Sequence, residues 1–362
     1  MNFETSDDRR MLADTLRRTL EDRYGFEHRT QVAYETPFHD TEGWAALAEL
    51  GLFHAFAGED AGGMGGGGFD VAVVFEELGR ALCPEPVLPT LLAVKLLEAA
   101  GEPVEDVLSG GVRYAVATGE TDAPWELDGI AARAVKAGDG WQISGRKSVV
   151  YGAGAADRLL VLAQDDSGLG LFEIDASEAQ VVAYGMIDGG PAGEVLLDAT
   201  IGRRLDVDAG MAVRDAFDWA ALALSAEALG AMEATFAMLV DYLGTRKQFG
   251  QPIGAFQALQ HRTVDLQIEI EQARSIVIAA AAAMGTPEQS HRASQAKHLV
   301  GRIARQVAEE SIQMHGGIAM TWEYPVSHYA KRLVMIDHQF GDTDHHLERL
   351  IDGLRDRAVS RP

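Results

Sequence analysis

The sequence predicts an α+β fold, mostly α. An N-terminal helical domain covers residues 1–110, a central β-barrel-like domain 111–202, and a C-terminal four-helix bundle 203–362. Three observations carry this expectation. Apolar residues recur at spacings of three and four up to about Leu108, as in Met11, Leu12, Leu16 and Leu20. Short β-rich runs separated by turn residues then follow to Gly202. Beyond Val207 the helical period returns in segments long enough for a bundle.

Taken in order, the N-terminal zone is broken at Gly62–Gly68, a run of GGMGGGG that cannot hold a helix. No Lys-Ser/Thr pair follows it, so a connector before a helix over Val71–Leu82 is favoured over a phosphate cradle. The middle zone contains β-rich runs at Val112–Thr118, Ile130–Lys136, Trp141–Ser144, Leu159–Ala163, Gly170–Ile174, Val181–Tyr184 and Glu194–Leu197. Their regular spacing suggests a small antiparallel sheet or barrel. The last zone offers helices at Arg214–Gly244, Gly254–Gly285, Pro287–Gly316 and near His345–Arg357.

Composition excludes several functions. With 31 Lys and Arg against 55 Asp and Glu, the net charge is −24. A nucleic-acid binder or an electrostatic membrane binder needs the opposite sign. No apolar run reaches the roughly 20 uncharged residues of a membrane span, since Glu227 and Glu233 interrupt Trp219–Val240. The polar N-terminus does not read as a signal peptide. One cysteine, Cys83, allows no intrachain disulfide, and a cytoplasmic location is expected. His338, His345 and His346 lie near Asp337, Asp342 and Asp344, yet adjacent helical residues point about 100° apart, so no metal site is expected.

Two segments point to chemistry. The first, Tyr242–Gly254, joins two apolar helices and presents Arg246, Lys247, Gln248 and Phe249. Arginine is the fork-shaped donor that suits a phosphate, although a plain helical hairpin reads equally well. The second, Ser311–Ala319, ends a helix at Gly316-Gly317, where backbone can approach a ligand.

Together these segments resemble the acyl-CoA dehydrogenase family of flavoproteins, and the resemblance covers nearly the whole chain. Trp44-Ala-Ala-Leu-Ala-Glu-Leu-Gly-Leu52, Phe75-Glu-Glu-Leu-Gly-Arg80 and Trp141-Gln-Ile-Ser-Gly-Arg-Lys147 look like its N-terminal helices and β-domain. Arg246-Lys-Gln-Phe-Gly-Gln-Pro-Ile253 and Gln313-Met-His-Gly-Gly317 look like its most specific signatures. The resemblance implies FAD as cofactor and an acyl-CoA thioester as substrate. It implies a base that removes the α-proton while the β-hydrogen leaves as hydride, and an electron-transfer flavoprotein as acceptor. Arg246, Gln248, Phe249, Ile253, Gln313, Gly317 and Thr343 are the cofactor-binding residues it implies.

The chain departs from the family where the base should be. The segment matching Tyr-Glu-Gly-Thr reads Phe340-Gly341-Asp342-Thr343, which puts Gly341 at the base position. The alternative position, on the first helix of the C-terminal domain, falls near Ala220. Asp342 and Asp218 are the nearest carboxylates and are the candidates left for a base. Val149 and Tyr151 stand where an indole and a hydroxyl are expected to meet the flavin ring. Kept pyrophosphate-side residues and lost ring-side residues imply a subunit that completes the flavin site of a catalytic partner, within a dimer or tetramer. Asp22-Arg-Tyr-Gly-Phe-Glu27 and Phe340–His346 look like small subunits of the pimeloyl-CoA dehydrogenase type. Two other readings stay open: a self-sufficient homo-oligomer using Asp342, and a flavin-free acyl-CoA-binding scaffold.

Overall fold

The computed structural model describes residues 6–359. The described chain divides into two compact units, one formed by residues 27–70 and 84–220, the other by 6–26, 71–83 and 221–359.

The first unit is built on a seven-stranded sheet. Its strands are β1 (Tyr114–Ala117), β2 (Arg133–Ala137), β3 (Gly140–Tyr151), β4 (Arg158–Asp165), β5 (Gly168–Asp175), β6 (Gln180–Gly185) and β7 (Pro191–Arg204). The order β4-β2-β3-β7-β5 closes on itself, because β4 also pairs with β5. Closure removes the open edges that a flat sheet would leave. β1 extends from β4, and β6 pairs with β7. The sheet is mixed, in contrast to the antiparallel expectation: β1 and β2 both run parallel to β4. Leu159 to Ala163 of β4 are all fully buried, the continuous apolar run of a strand covered on both faces.

Helices α2 (Phe26–Tyr34), α3 (Thr41–Glu49), α5 (Val87–Ala99) and α6 (Glu105–Leu108) belong almost wholly to this unit. α5 is apolar nearly all round and correspondingly buried from Val87 to Val94. The glycine run is a folded turn rather than a slack connector. The Met64 and Gly65 amides donate to the His54 and Ala57 carbonyls, and a Cβ on Gly63 would collide with the Ala57 backbone.

The second unit is helical. It contains α1 (Asp7–Arg23), most of α4 (Gly68–Ala81), the larger part of α7 (Ala209–Thr245), α8 (Gln257–Ala283), α9 (Gln289–His315), α10 (Pro325–Asp337) and α11 (Thr343–Val359). Five of these, α4, α7, α8, α9 and α11, match helices read from the sequence. α10 was not among the helices read from the sequence; Pro325 occupies its first turn, where the missing N–H costs nothing. α9 is the central helix, burying Ala293, Ala296, Val300, Ile303, Ala304 and Val307. Glycines let α4 and α7 touch backbone to backbone: a Cβ on Gly79 would meet the Glu227 backbone, and one on Gly230 that of Glu76. α7 is long and apolar enough to span a membrane, yet 67% of its most apolar window is buried within the protein, as in a core helix.

Candidate functional site

The α7–α8 connection is a miniature hairpin. Two short strands, β8 (Lys247–Gln248) and β9 (Gln251–Pro252), pair across Phe249 and Gly250, which have φ of +53° and +83°. Two successive positive φ values are the signature of a type I′ turn. The turn thrusts Phe249 outward, leaving it 91% exposed. Arg246 just precedes β8 and is exposed, and its guanidinium has no hydrogen bond or ion pair among the described residues. The Gln248 side chain donates to the Lys247 carbonyl at 2.8 Å, and Ile253 is half-buried in the turn before α8.

The C-terminus of α9 lies in the same unit. Gln313 is exposed, and His315 is buried with Nδ1 2.8 Å from the Ser311 carbonyl. Its ring stacks on Tyr242 at 4.7 Å and meets Tyr324 edge-on at 5.4 Å. Burial lowers its pKa. Gly316 ends the helix with φ +73°, and a Cβ added to either Gly316 or Gly317 would meet nothing within 4 Å. An unpaired guanidinium, an exposed amide, an exposed aromatic ring and an open glycine pair therefore occupy neighbouring helix ends of one unit.

The segment from Asp337 to His346 forms a second polar centre, which sequence reasoning resolved only in part. Lys297 on α9 is completely buried and donates to the carbonyls of Gly341 at 2.7 Å and Asp337 at 3.0 Å. Burial lowers its pKa to about 8, against the pull of Asp337 and Asp342. The Asp337 Oδ1 accepts from the Thr343 amide at 3.0 Å and from the Thr343 hydroxyl at 2.7 Å. The Asp342 Oδ1 accepts from the His345 amide at 2.8 Å, a helix N-cap contact for α11. Asp342 is thus an α11 cap, and Gly341 presents no side chain. His346 is completely buried, with Nε2 3.2 Å from the Phe340 carbonyl. Burial, then the nearby Lys297, Arg349 and His345, lower its pKa to about 2. The His345 and His346 rings stand perpendicular, 5.3 Å apart. Lys297 carried a sequence signal: it falls in helical register with Ala293, Val300, Gly301 and Ala304, a cation on a buried stripe.

In the first unit, the β-domain segment expected at the flavin ring is internally satisfied. Glu194 accepts from the Ser148 hydroxyl at 2.9 Å, the Val149 amide at 3.2 Å, the Tyr184 hydroxyl at 3.1 Å and Arg146 at 2.9 Å. Burial raises its pKa, but these donors outweigh that and hold it low. Val149 sits in a bulge with φ +51°, uncommon for a β-branched residue. Lys147, completely buried, reaches Glu120 at 2.6 Å and the Thr118 carbonyl at 3.2 Å. Ala220 and Asp218 are both buried on α7.

Profile matches decide the family. The acyl-CoA dehydrogenase C-terminal domain matches residues 209–354, and the N-terminal domain of the same family matches 6–104. The chain belongs to the acyl-CoA dehydrogenase family. A relative, acyl-CoA dehydrogenase IpdE2 of Mycolicibacterium smegmatis, is 31% identical over 90% of this chain and 92% of its own length. IpdE2 of Mycobacterium tuberculosis is 32% identical over 81% of this chain and 80% of its own length. A solved structure described as the Tcur3481-Tcur3483 steroid ACAD G363A variant is 31% identical, covers 98% of this chain and 99% of its own, and has a TM-score of 0.89. The chain has the acyl-CoA dehydrogenase fold and is an oxidoreductase acting on acyl-CoA, and FAD is the cofactor of the family.

Proposed function

We propose that this chain is a subunit of a heteromeric acyl-CoA dehydrogenase that lacks a base of its own and completes the flavin site of a catalytic partner. The observation that carries the reading is the contrast between its two halves. The pyrophosphate side fits FAD: Arg246 has an uncommitted guanidinium, and Gly317 offers open approach to its backbone. The ring side does not fit. Its hydroxyl and amide donors at Ser148 and Val149 are spent on Glu194, and Gly341 carries nothing that could take a proton.

When bound, FAD supplies the acceptor for the substrate's β-hydrogen. The chain's own part is to hold and orient. Arg246 meets the pyrophosphate as a bidentate, charge-assisted donor. Gln248, Ile253 and Gln313 line the adenosine, and Phe249 gives it an aromatic face. Thr343 uses its hydroxyl proton on Asp337, so it meets the cofactor as an acceptor only. Asp342 holds its carboxylate at the N-cap of α11, where Oδ1 accepts the His345 amide.

Several things support the finer assignment. One relative at 31% identity is named for a Tcur3481-Tcur3483 pair, and the small-subunit resemblance of residues 22–27 and 340–346 points the same way. In this reading the chain works in the cytoplasm as part of a dimer or tetramer, and an electron-transfer flavoprotein takes electrons from the assembled enzyme.

The test is turnover with an artificial electron acceptor across acyl-CoA thioesters of several lengths. One steroid thioester is included because of the relative's name. The chain alone is expected to bind flavin poorly and turn over slowly, and co-expression with a Glu-bearing homologue to restore both. A missing general base removes about 10²–10⁴ in rate. Robust activity of the chain alone, abolished by Asp342→Asn, would reject the reading.

A further inference from the structure

We propose that His345 and Lys297 hold the 338–342 loop in a shape with no room for a side chain at position 341, so that the chain's own acyl site is closed to a base by its backbone and not merely by the loss of one residue. The proposal rests on the accessory-subunit reading and gives it a structural cause.

The first observation is conformational. Phe340 and Gly341 have φ of +54° and +94°, the region that favours glycine. A glutamate at 341 would have to adopt that backbone or change it.

The second observation is steric. A Cβ built on Gly341 would lie 2.5 Å from Cδ2 and 3.2 Å from Cγ of His345, and 2.9 Å from Nε2 of His346. Neither ring is a free surface side chain. His346 is completely buried and bonded to the Phe340 carbonyl. The His345 backbone is tied to Asp342, and its ring stands against His346.

The third observation is that the backbone has little freedom to move aside. Lys297 grips the carbonyls of Asp337 and Gly341 from α9. Four residues along the same helix, Gly301 has no side chain where Asp337 and Thr343 approach; a Cβ there would meet Thr343 Oγ1 at 2.7 Å and Asp337 Oδ1 closer still. Asp337 in turn fixes both the amide and the hydroxyl of Thr343. The loop is thus anchored on both sides of Gly341 and from beneath.

Compared with the family's Tyr-Glu-Gly-Thr, the acidic residue and the glycine have exchanged order in Phe340-Gly341-Asp342-Thr343. The exchange moves the carboxylate onto the cap of α11 and the left-handed residue onto the base position. Returning a glutamate to position 341 alone therefore does not return a base.

A double-mutant cycle tests this on the full chain. Thermal midpoints are measured for the parent, Gly341→Ala, His345→Ala and the pair. Gly341→Ala is expected to lower the midpoint by several degrees, and His345→Ala to cut that loss by at least half, because it removes the closest contact. A merely structural role for His345 gives additive shifts, and additivity would overturn the proposal. Lys297→Met is read by amide hydrogen exchange, with exchange of the 338–343 amides expected to rise at least tenfold while α8 and the β-sheet stay unchanged. Unchanged loop exchange would also overturn it. Gly341→Glu is expected to turn over no faster than the parent chain, and a clear gain in turnover from that single variant would sink the steric argument outright. These readouts are separate from the parent reading. Activity of the unmodified chain alone rejects the accessory role, whereas additive midpoints reject only the closed loop.

Discussion

The imidazole of His346 ends 3.2 Å from the Phe340 carbonyl and has no contact with solvent. Nε2 therefore donates to that carbonyl, which leaves Nδ1 as the unprotonated, unbonded nitrogen of a neutral ring. Protonating it would place a second cation beside buried Lys297, with Arg349 and His345 also near.

Acid should consequently destabilise the protein through this one residue. The folded pKa lies near 2, and the unfolded value is 6.5. Between those values the unfolded chain binds the proton and the folded chain does not, so stability falls as pH drops below 6.5. From pH 7.5 to 5.5 the loss from this residue is about 1.4 kcal/mol. Denaturant midpoints of the parent and His346→Leu at the two pH values check it. The parent should show an extra acid-linked loss that the variant lacks.

Lys297 gives a prediction at the other end of the scale. Its folded pKa is about 8, below the ordinary 10.5. Above pH 8 the folded chain releases a proton that the unfolded chain keeps, so this group's contribution to stability rises with pH up to about 10.5. Comparing the parent with Lys297→Met from pH 7.5 to 9.5 isolates it. The parent should gain stability relative to Lys297→Met as pH rises, and a loss relative to the variant would contradict the assignment.

In the β-domain, Glu120 answers the buried charge of Lys147. Burial raises the Glu120 pKa, but Lys147 and the amides of Ala131 and Ala132 outweigh it and the carboxyl is held low. Burial lowers the pKa of Lys147 despite Glu120. Removing one partner of such a pair leaves an uncompensated charge, at a cost of about 3–5 kcal/mol. Glu120→Ala should show this in urea unfolding, whereas Arg305→Ala, which breaks an exposed pair with Glu309, should move the midpoint hardly at all.

The parts legible in the sequence were those with long periods. α7, α8 and α9 each repeat their apolar spacing over 27 residues or more, so three- and four-residue intervals suffice to find them. β3 and β7 were read short because bulges near Gly145 and Val149 interrupt the alternation. The parallel pairing of β1 with β4 has no local signal, since it is set by a partner more than forty residues away. Arg246 and Gly317 could be singled out from the sequence because each lies in a contiguous motif. The Lys297–Asp337–Thr343 centre could not, because it is assembled from three helices. The left-handed backbone at Phe340 was hidden as well, since aromatic residues seldom adopt it.

Arg246 supplies the prediction that bears most directly on the proposed role. It is exposed and unpaired among the described residues, so Arg246→Ala should leave the fold and thermal midpoint of this chain within about 0.5 kcal/mol of the parent. In the proposed role its guanidinium serves the pyrophosphate of a flavin held mainly by a neighbouring subunit. Loss of a charge-assisted hydrogen bond of this kind costs about 1.5–3 kcal/mol, or roughly one to two decades in affinity. The measurement is flavin retained after gel filtration of the assembled complex, quantified by absorbance, alongside the melting curve of the chain alone. Arg246→Lys should recover only part of the loss, because a point charge cannot reproduce the two parallel donors of the fork. Flavin retention equal to the parent's in Arg246→Ala would show that the exposed hairpin serves no phosphate. A fall in retention accompanied by an equal fall in the chain's own stability would make Arg246 a structural residue and remove the main support for a site shared between subunits.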